Sequence, residues 1–232
     1  MSKFKLGTNY GGWVIPSDIK LDENSIIYSG GVGEDISFDL ILSDKYNCNI
    51  YLVDPTERSR THYEEIKKFY KKEKEFSELS GDIQKDYHKI ISNLKPNFEK
   101  IKYYDIGLWD KKEELKFYKP VNPKYISHSL IEGMTSKKYD IVKVDSIKNL
   151  MEKNNHNHID LLKLDIEGSE IEVINQMLDD NILPNYLLVE FDLLLQKKDR
   201  ENKTKKILER LHIHYNIIIN DNYNITFKKN KH

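Results

Sequence analysis

The chain has 232 residues, with 37 Lys+Arg against 38 Asp+Glu and a formal net charge of -1. That length suits one large domain that buries roughly 70% of its extended surface without metal or disulfide staples. The near-balance of charge excludes bulk attraction to polyanions, so neither nucleic acid nor an anionic membrane surface is an expected partner.

Short β-rich runs alternate with stretches of helical period. Ser25–Tyr28 reads as a strand, followed by a glycine turn and a helix start in IIYSGGVGEDISFDL. Ile50–Val53 is the next strand. Residues 58–98 are charge-dense and helical in character, broken at Gly81, and read as a solvated helical insertion, with a lid or a dimer arm as the other options. Lys100–Tyr104 follows as a strand. Asp145 is placed to cap a helix carrying Ile147, Leu150 and Met151. Ile159–Leu164 and Tyr186–Phe191 are nearly continuous apolar runs, as expected of strands covered on both faces. Between them, Ser169 and Glu172 have capping-box spacing, and Ile171, Ile174 and Leu178 share one helical face, which predicts a helix over 170–178. The tail HYNIIINDNYNITFKK reads as an antiparallel hairpin. Such alternation predicts an open, mostly parallel α/β sheet in a single domain spanning 1–232.

Two segments carry chemistry. In the first, Gly30, Gly31 and Gly33 form a turn that lets a ligand approach the backbone, ahead of a helix N-terminus. Asp54 ends the next strand, where a nucleotide-binding α/β unit keeps a carboxylate for ribose hydroxyls. A dinucleotide fingerprint needs a third glycine at position 36, where Ile36 stands. Glu34 and Asp35 are poor company for a diphosphate but suit a cationic sulfonium and ammonium. In the second segment, LLKLDIEGSE, Lys163, Asp165 and Glu167 alternate with Leu164 and Ile166 and share one side if the strand continues that far. A Lys163–Asp165 or Lys163–Glu167 ion pair is the structural reading of this pattern. Glu190 and Asp192 end the adjacent strand, and carboxylates at neighbouring strand ends are a possible oxygen-ligand set for a divalent cation.

Together, GGWVIP, GVGEDISFD, IYLVDPT, YYDIGLWD, SHSL, DSIKNLM, LLKLDIEGSE and LLVEFD, in this order over about Gly11 to Asp192, resemble the FkbM-type S-adenosylmethionine-dependent methyltransferases. The resemblance implies the class I methyltransferase (Rossmann-like) fold, a seven-stranded sheet whose last strand is antiparallel, matching the C-terminal hairpin. It implies largely O-methylation of sugars in surface glycans, sugar precursors and natural products. Carried onto this chain, it assigns Gly30, Gly31 and Gly33 to a methionine-cradling turn, Asp54 to the ribose, and Pro55 and Thr56 to the adenosine pocket. Asp105, Gly107 and Leu108 flank the adenine, and Asp165 faces the methionine amine or the transfer site. Class I methyltransferases usually have an acidic residue just before the turn; here Ser29 stands there, with Glu34 or Asp35 to compensate.

Methyl transfer to a sugar hydroxyl needs a general base or a metal that lowers the hydroxyl pKa. His128 is the first candidate for the base, because imidazole titrates near neutrality, with Asp165 and Glu167 as alternatives. Tyr10, Trp13, Trp109 and Tyr118 are aromatic faces available to a sugar or base. His156 and His158 lie in a polar, turn-like stretch and are read as loop. The expected cofactor is S-adenosylmethionine, released as S-adenosylhomocysteine, with a divalent metal left open. The expected acceptor is a nucleotide-activated sugar or a surface-polysaccharide precursor; a diphosphate would require an Arg or Lys from 58–98, or Lys119 or Lys124. A non-catalytic S-adenosylmethionine-binding scaffold, or a methyltransferase for another small molecule or nucleic acid, are the alternatives. Oligomeric state is open, a homodimer being one arrangement. A lone cysteine, Cys48, and no signal-like apolar run in MSKFKLGTNYGG lead us to expect a soluble cytoplasmic protein.

Overall fold

The computed structural model describes residues 2–122, 128–132, 136–191, 198–221 and 223–230. An N-terminal hairpin, β1 (Lys3–Leu6) and β2 (Trp13–Pro16), precedes the main α/β run. That run comprises β3 (Ile26–Gly30), α1 (Ser37–Tyr46), β4 (Asn49–Val53), α2 (Glu57–Tyr70), α3 (Tyr87–Ile91) and β5 (Ile101–Tyr104). A three-stranded accessory sheet follows, from β6 (Gly107–Leu108), β7 (Glu113–Tyr118) and β8 (Tyr139–Asp145), in the order β6-β8-β7. The chain then forms α4 (Ile147–Lys153), β9 (Leu161–Leu164), α5 (Glu170–Asp179), β10 (Tyr186–Glu190), α6 (Lys198–His214), β11 (Tyr215–Asp221) and β12 (Asn224–Lys229).

The main sheet has seven strands in the order β11-β12-β10-β9-β3-β4-β5. Strands β10, β9, β3, β4 and β5 pair in parallel, while β12 is antiparallel to both of its neighbours, β10 and β11. This is the mostly parallel sheet with a C-terminal antiparallel hairpin expected from the sequence. Chain order reverses at the β3–β9 pair, and in open α/β sheets a crevice forms at the carboxyl ends of strands flanking such a switch.

Each strand divides its side chains between two cores, as a period of two requires. Tyr28, Tyr51, Val53, Leu162, Leu164, Leu187 and Val189 pack on the side of α4, α5 and α6. Ile27, Ile50, Leu52, Leu161 and Leu188 pack with Phe38, Tyr63, Ile66, Ile91 and Ile15, on the side of α1–α3 and the N-terminal hairpin. Both faces are covered, which is why IDLLKL and YLLVEF are apolar almost throughout.

Three expectations are corrected. The first part of 58–98 is not a solvated appendage: α2 leads from β4 towards β5, and Ser59, His62, Tyr63 and Ile66 are buried on its inner face, whereas no residue from 71 to 86 is buried. The many charges of α2 occupy its outer face, which made an ordinary amphipathic crossover read as an appendage. The cap of α4 is Ser146, whose hydroxyl accepts from Asn149 N, while Asp145 accepts from Ser146 N and the Asn149 amide. Ser169 makes no capping hydrogen bond, and its hydroxyl is buried without a partner among the described residues; the Glu170 carboxyl accepts instead from the loop ahead of the helix, at Ile166 N and Gly168 N. The helix itself, Glu170–Asp179, is the predicted one.

Candidate functional site

A cleft of about 330 Å³ opens at the carboxyl ends of β3, β4, β9 and β10. Its floor is the glycine turn. Gly30 ends β3, where a β-carbon would sit 2.6 Å from Leu108 Cδ1. Gly31 has φ +70°, and a β-carbon there would lie 1.6 Å from the Asp165 carbonyl oxygen. Gly33 also has a left-handed φ of 54°. Gly31 is therefore demanded by the chain's own close packing, whereas at Gly30 the near neighbour is the movable end of the Leu108 side chain. Both segments of interest meet at this point: Asp165 N donates to Gly30 O at 3.2 Å, and Lys163 Nζ donates to Gly31 O at 2.6 Å.

Asp54 lies at the cleft, with both carboxylate oxygens engaged by the protein. One accepts from Val32 N and Gly33 N at 3.1 and 3.0 Å, the other from Thr56 N and Thr56 Oγ1 at 2.8 and 2.6 Å. The carboxylate thus clamps the glycine turn to the start of α2. Pro55, Thr56, Gly107 and Leu108 line the same wall. Ser29 and Asp105 do not. Ser29 is buried inside β3, and Asp105 forms a half-exposed ion pair with Arg60 at 2.5 Å. Near Ser29, Asp39 of α1 is buried, and burial pushes its carboxyl up to about 6 against the opposing pull of the Lys163 ammonium.

Glu34 and Asp35 both line the cleft and both have partners. Arg58 grips Glu34 in a two-pronged pair, Nε to Oε1 at 2.9 Å and Nη2 to Oε2 at 2.5 Å, and Asp82 N adds a third donor. Gly81 packs so closely on Glu34 that a β-carbon would lie 2.3 Å from Oε1. The glycine read as a break is where the 71–86 connection packs against the Glu34 carboxylate. Asp35 accepts from the Thr8 hydroxyl and from Ser37 N and Oγ, which fastens the N-terminal loop to α1.

Strand β9 ends at Leu164, and Lys163, Asp165 and Glu167 all line the cleft. Lys163 Nζ lies 3.6 Å from Asp165 Oδ2, the ion pair anticipated from the alternation. Glu167 takes a left-handed φ of 53°, uncommon for a non-glycine residue. The loop is held by Glu170, which sequence reasoning missed. This buried carboxyl accepts from Ile166 N at 2.9 Å and Gly168 N at 3.0 Å, and burial pushes it up to about 8. The signal was present: a carboxylate in the first turn of a helix, just after a glycine, is positioned to cap loop N–H groups.

His128 lines the opposite wall, its ring stacked on Phe117 with centroids 5.2 Å apart. Ser129 joins this wall to the Glu167 loop: its backbone pairs with Tyr118, and its hydroxyl donates to Glu167 O at 2.6 Å. Tyr10, from the N-terminal loop, lies over the mouth. Its hydroxyl is pushed up to about 12, first by burial and then by the carboxylates of Asp165, Glu167, Glu190 and Asp35. Glu190 lines the cleft; Asp192 and Lys124 lie outside the described residues. Among the described residues no group of three or more His, Cys, Asp or Glu is arranged to hold a metal ion. Lys119 is paired with Asp140 at 2.8 Å, and Trp109 and Tyr118 do not line the cleft. His156 is no bystander: its Nδ1 lies 2.9 Å from the Tyr28 hydroxyl.

The chain belongs to the FkbM methyltransferase family, whose domain matches residues 31–217, from the glycine turn into β11. Methyl transfer is the activity of that family. A solved FkbM methyltransferase from Methylobacillus flagellatus KT is 12% identical, with a TM-score of 0.49; the match covers 91% of this chain and 45% of that one. A candidate rRNA methylase from Clostridium thermocellum is 10% identical, with a TM-score of 0.43, over 91% of this chain and 89% of that one. This chain therefore spans less than half the length of the Methylobacillus protein. No curated protein sequence matches it. Among the described residues no helix is long and apolar enough to cross a membrane.

Proposed function

We propose that the protein is an S-adenosylmethionine-dependent O-methyltransferase acting on a sugar hydroxyl, in a nucleotide-activated sugar or a surface-polysaccharide precursor. The observation that carries the reading is the charge of the cleft: Asp165, Glu167 and Glu190 line it together with Asp35 and Asp54, against Lys163, while Glu34, also in the lining, is balanced by Arg58. Such a lining favours a cationic cofactor and disfavours the diphosphate of a nicotinamide dinucleotide. S-adenosylmethionine carries an ammonium and a sulfonium, and when bound supplies an electrophilic methyl group.

In this reading the glycine turn and Asp165 hold the methionine end, and the ribose lies at the Asp54–Thr56 corner, where a ribose hydroxyl takes the place of the Thr56 hydroxyl on Asp54. Pro55, Gly107 and Leu108 provide the apolar wall for adenine. The ordered clamps around them keep these groups in place before ligand arrives, which is the main contribution a protein makes to a displacement that needs alignment. His128 serves as general base, accepting the proton of the acceptor hydroxyl at a ring nitrogen; Phe117 fixes its ring plane. Asp165 and Glu167 are the other acceptors within the same cleft.

Incubation with methyl-labelled S-adenosylmethionine and a panel of sugar nucleotides and glycosides tests this. Label is expected on a sugar oxygen. Label on RNA alone, or no transfer by a protein that binds the cofactor, would contradict it, the second outcome pointing to a non-catalytic scaffold.

A further inference from the structure

The loop between β1 and β2 reaches the mouth of the cleft, from a stretch that precedes the family-matched residues 31–217. Thr8 is its hub. The Thr8 hydroxyl donates to Asp35 Oδ2 and accepts from Tyr10 N and Gly11 N at 3.2 and 2.9 Å. Thr8 N donates to Ser37 Oγ at 2.9 Å, and Asn9 N to Asp86 Oδ2 at 3.0 Å. Gly11 lies so close to Asp35 that a β-carbon would be 2.6 Å from Cγ, and one at Gly12 would be 2.3 Å from Thr8 O. These contacts hold the loop against α1 and against the 71–86 connection. None of them uses the Tyr10 side chain.

That side chain is set at the cleft all the same. Tyr10 is 65% exposed and lines the cleft with Asp35, Asp165, Glu167 and Glu190, the four carboxylates whose charge acts on its hydroxyl. A ring left largely in water buries little apolar area, so core packing does not account for its place. An aromatic face carries negative charge density and attracts a cation, and neighbouring carboxylates add to that attraction. Lys163, the lysine of the lining, is turned to Gly31 O at 2.6 Å and to Asp165 at 3.6 Å. A ring reachable from solvent, held on a fixed loop beside carboxylates, is the arrangement that recognises an organic cation.

We propose that Tyr10 is a specificity determinant for the charge of the cofactor: its ring stabilises the sulfonium of S-adenosylmethionine and gives nothing to the neutral thioether of S-adenosylhomocysteine. The inference rests on the methyl-transfer reading of the cleft and adds a residue that reading does not use. The two molecules share adenine, ribose and amino acid, and differ by one methyl group and one positive charge at sulfur. The sulfur belongs to the methionine end, which that reading places at Asp165, one of the carboxylates beside Tyr10. A contact that answers only to the sulfur charge favours the loaded cofactor over the spent one, and eases release of product after transfer.

Calorimetric titration of the full chain tests the proposal, in the parent, Tyr10→Leu and Tyr10→Phe. The ligands are S-adenosylmethionine, S-adenosylhomocysteine and sinefungin, which has an amine-bearing carbon in place of the methylated sulfur and so keeps a positive charge there. Tyr10→Leu is expected to weaken S-adenosylmethionine and sinefungin about three- to tenfold, as for loss of one cation–π contact. S-adenosylhomocysteine is expected to stay within twofold, which also shows that the variant is folded. Tyr10→Phe keeps the ring and is expected to match the parent with all three ligands. Equal weakening of charged and neutral ligands, no weakening in Tyr10→Leu, or a Tyr10→Phe as weak as Tyr10→Leu each overturn the role of the ring and leave the methyl-transfer reading standing. A parent that binds none of the three defeats that reading, and the inference with it.

Discussion

The α-carbon of Gly31 faces the carbonyl oxygen of Asp165 so closely that a β-carbon would lie 1.6 Å from it. This contact joins the two halves of the site, the turn after β3 and the loop after β9, through backbone alone. Gly31→Ala must push the two loops apart, and a loss of about 3 kcal/mol or more is expected, since even ordinary overpacking costs 1–3. Gly33→Ala carries the left-handed φ penalty, about 1–2 kcal/mol, and is expected to cost less. Urea denaturation of the two variants checks this order; equal losses would show that the interlock does not govern the turn.

Asp54 provides the second prediction. Its carboxylate satisfies two backbone N–H groups of the glycine turn and both donors of Thr56. In Asp54→Ala those donors lose their acceptor, at about 1–3 kcal/mol for the buried Val32 N and less for the part-buried Gly33 and Thr56 donors that water can reach. S-adenosylhomocysteine binding is expected to fall by more than tenfold in calorimetry, along with thermal stability. Unchanged affinity would remove Asp54 from the site.

A third prediction concerns pH. Burial raises the carboxyls of Glu170, to about 8, and of Asp39, to about 6. A raised carboxyl is protonated in the folded state where the unfolded chain has already ionised, so the folded state binds more protons and stability falls as pH rises. The Glu170 contribution is whole below its ordinary value of 4.5 and lost as pH rises through about 8. Glu170→Gln keeps an acceptor for Ile166 N and Gly168 N without the ionisation. The variant is expected to lose less stability than the parent between pH 5 and pH 8. An identical slope in the two proteins would show that Glu170 ionises freely when folded.

His128 supplies the fourth. As the general base, its loss in His128→Ala is expected to lower kcat by about 10²–10⁴-fold. S-adenosylhomocysteine affinity is expected to stay within twofold, since Phe117 holds the ring on the wall opposite the glycine turn. A drop in cofactor affinity with kcat unchanged would make His128 a wall residue, with Asp165 or Glu167 left as the base.

The sequence made the central strands legible because both faces are covered, and a short apolar run such as IDLLKL, bounded by polar turns, is the pattern of a strand buried on both sides. It also located the cleft, since glycines, Asp54 and Asp165 fall at strand ends in a βα alternation. What it hid lies in contacts distant along the chain. β7 and β8 belong to a small sheet with an exposed face, where Tyr139 and Ile141 break the expected polarity. No local pattern tells that Glu34 is claimed by Arg58 and Gly81, or that Asp35 is claimed by Thr8. Those pairings turn two residues expected to meet an ammonium into anchors for the loops around the site. Residues 58–98 misled for the opposite reason: the charges of α2 are local and conspicuous, while its buried face comprises only four positions.

The most direct measurement is a calorimetric titration of the protein with S-adenosylmethionine and S-adenosylhomocysteine, with NADH as the comparator. An acidic cleft built on Gly31 and Asp165 predicts micromolar binding of the first two and none of NADH. Binding of NADH alone, by a folded sample, would contradict the account.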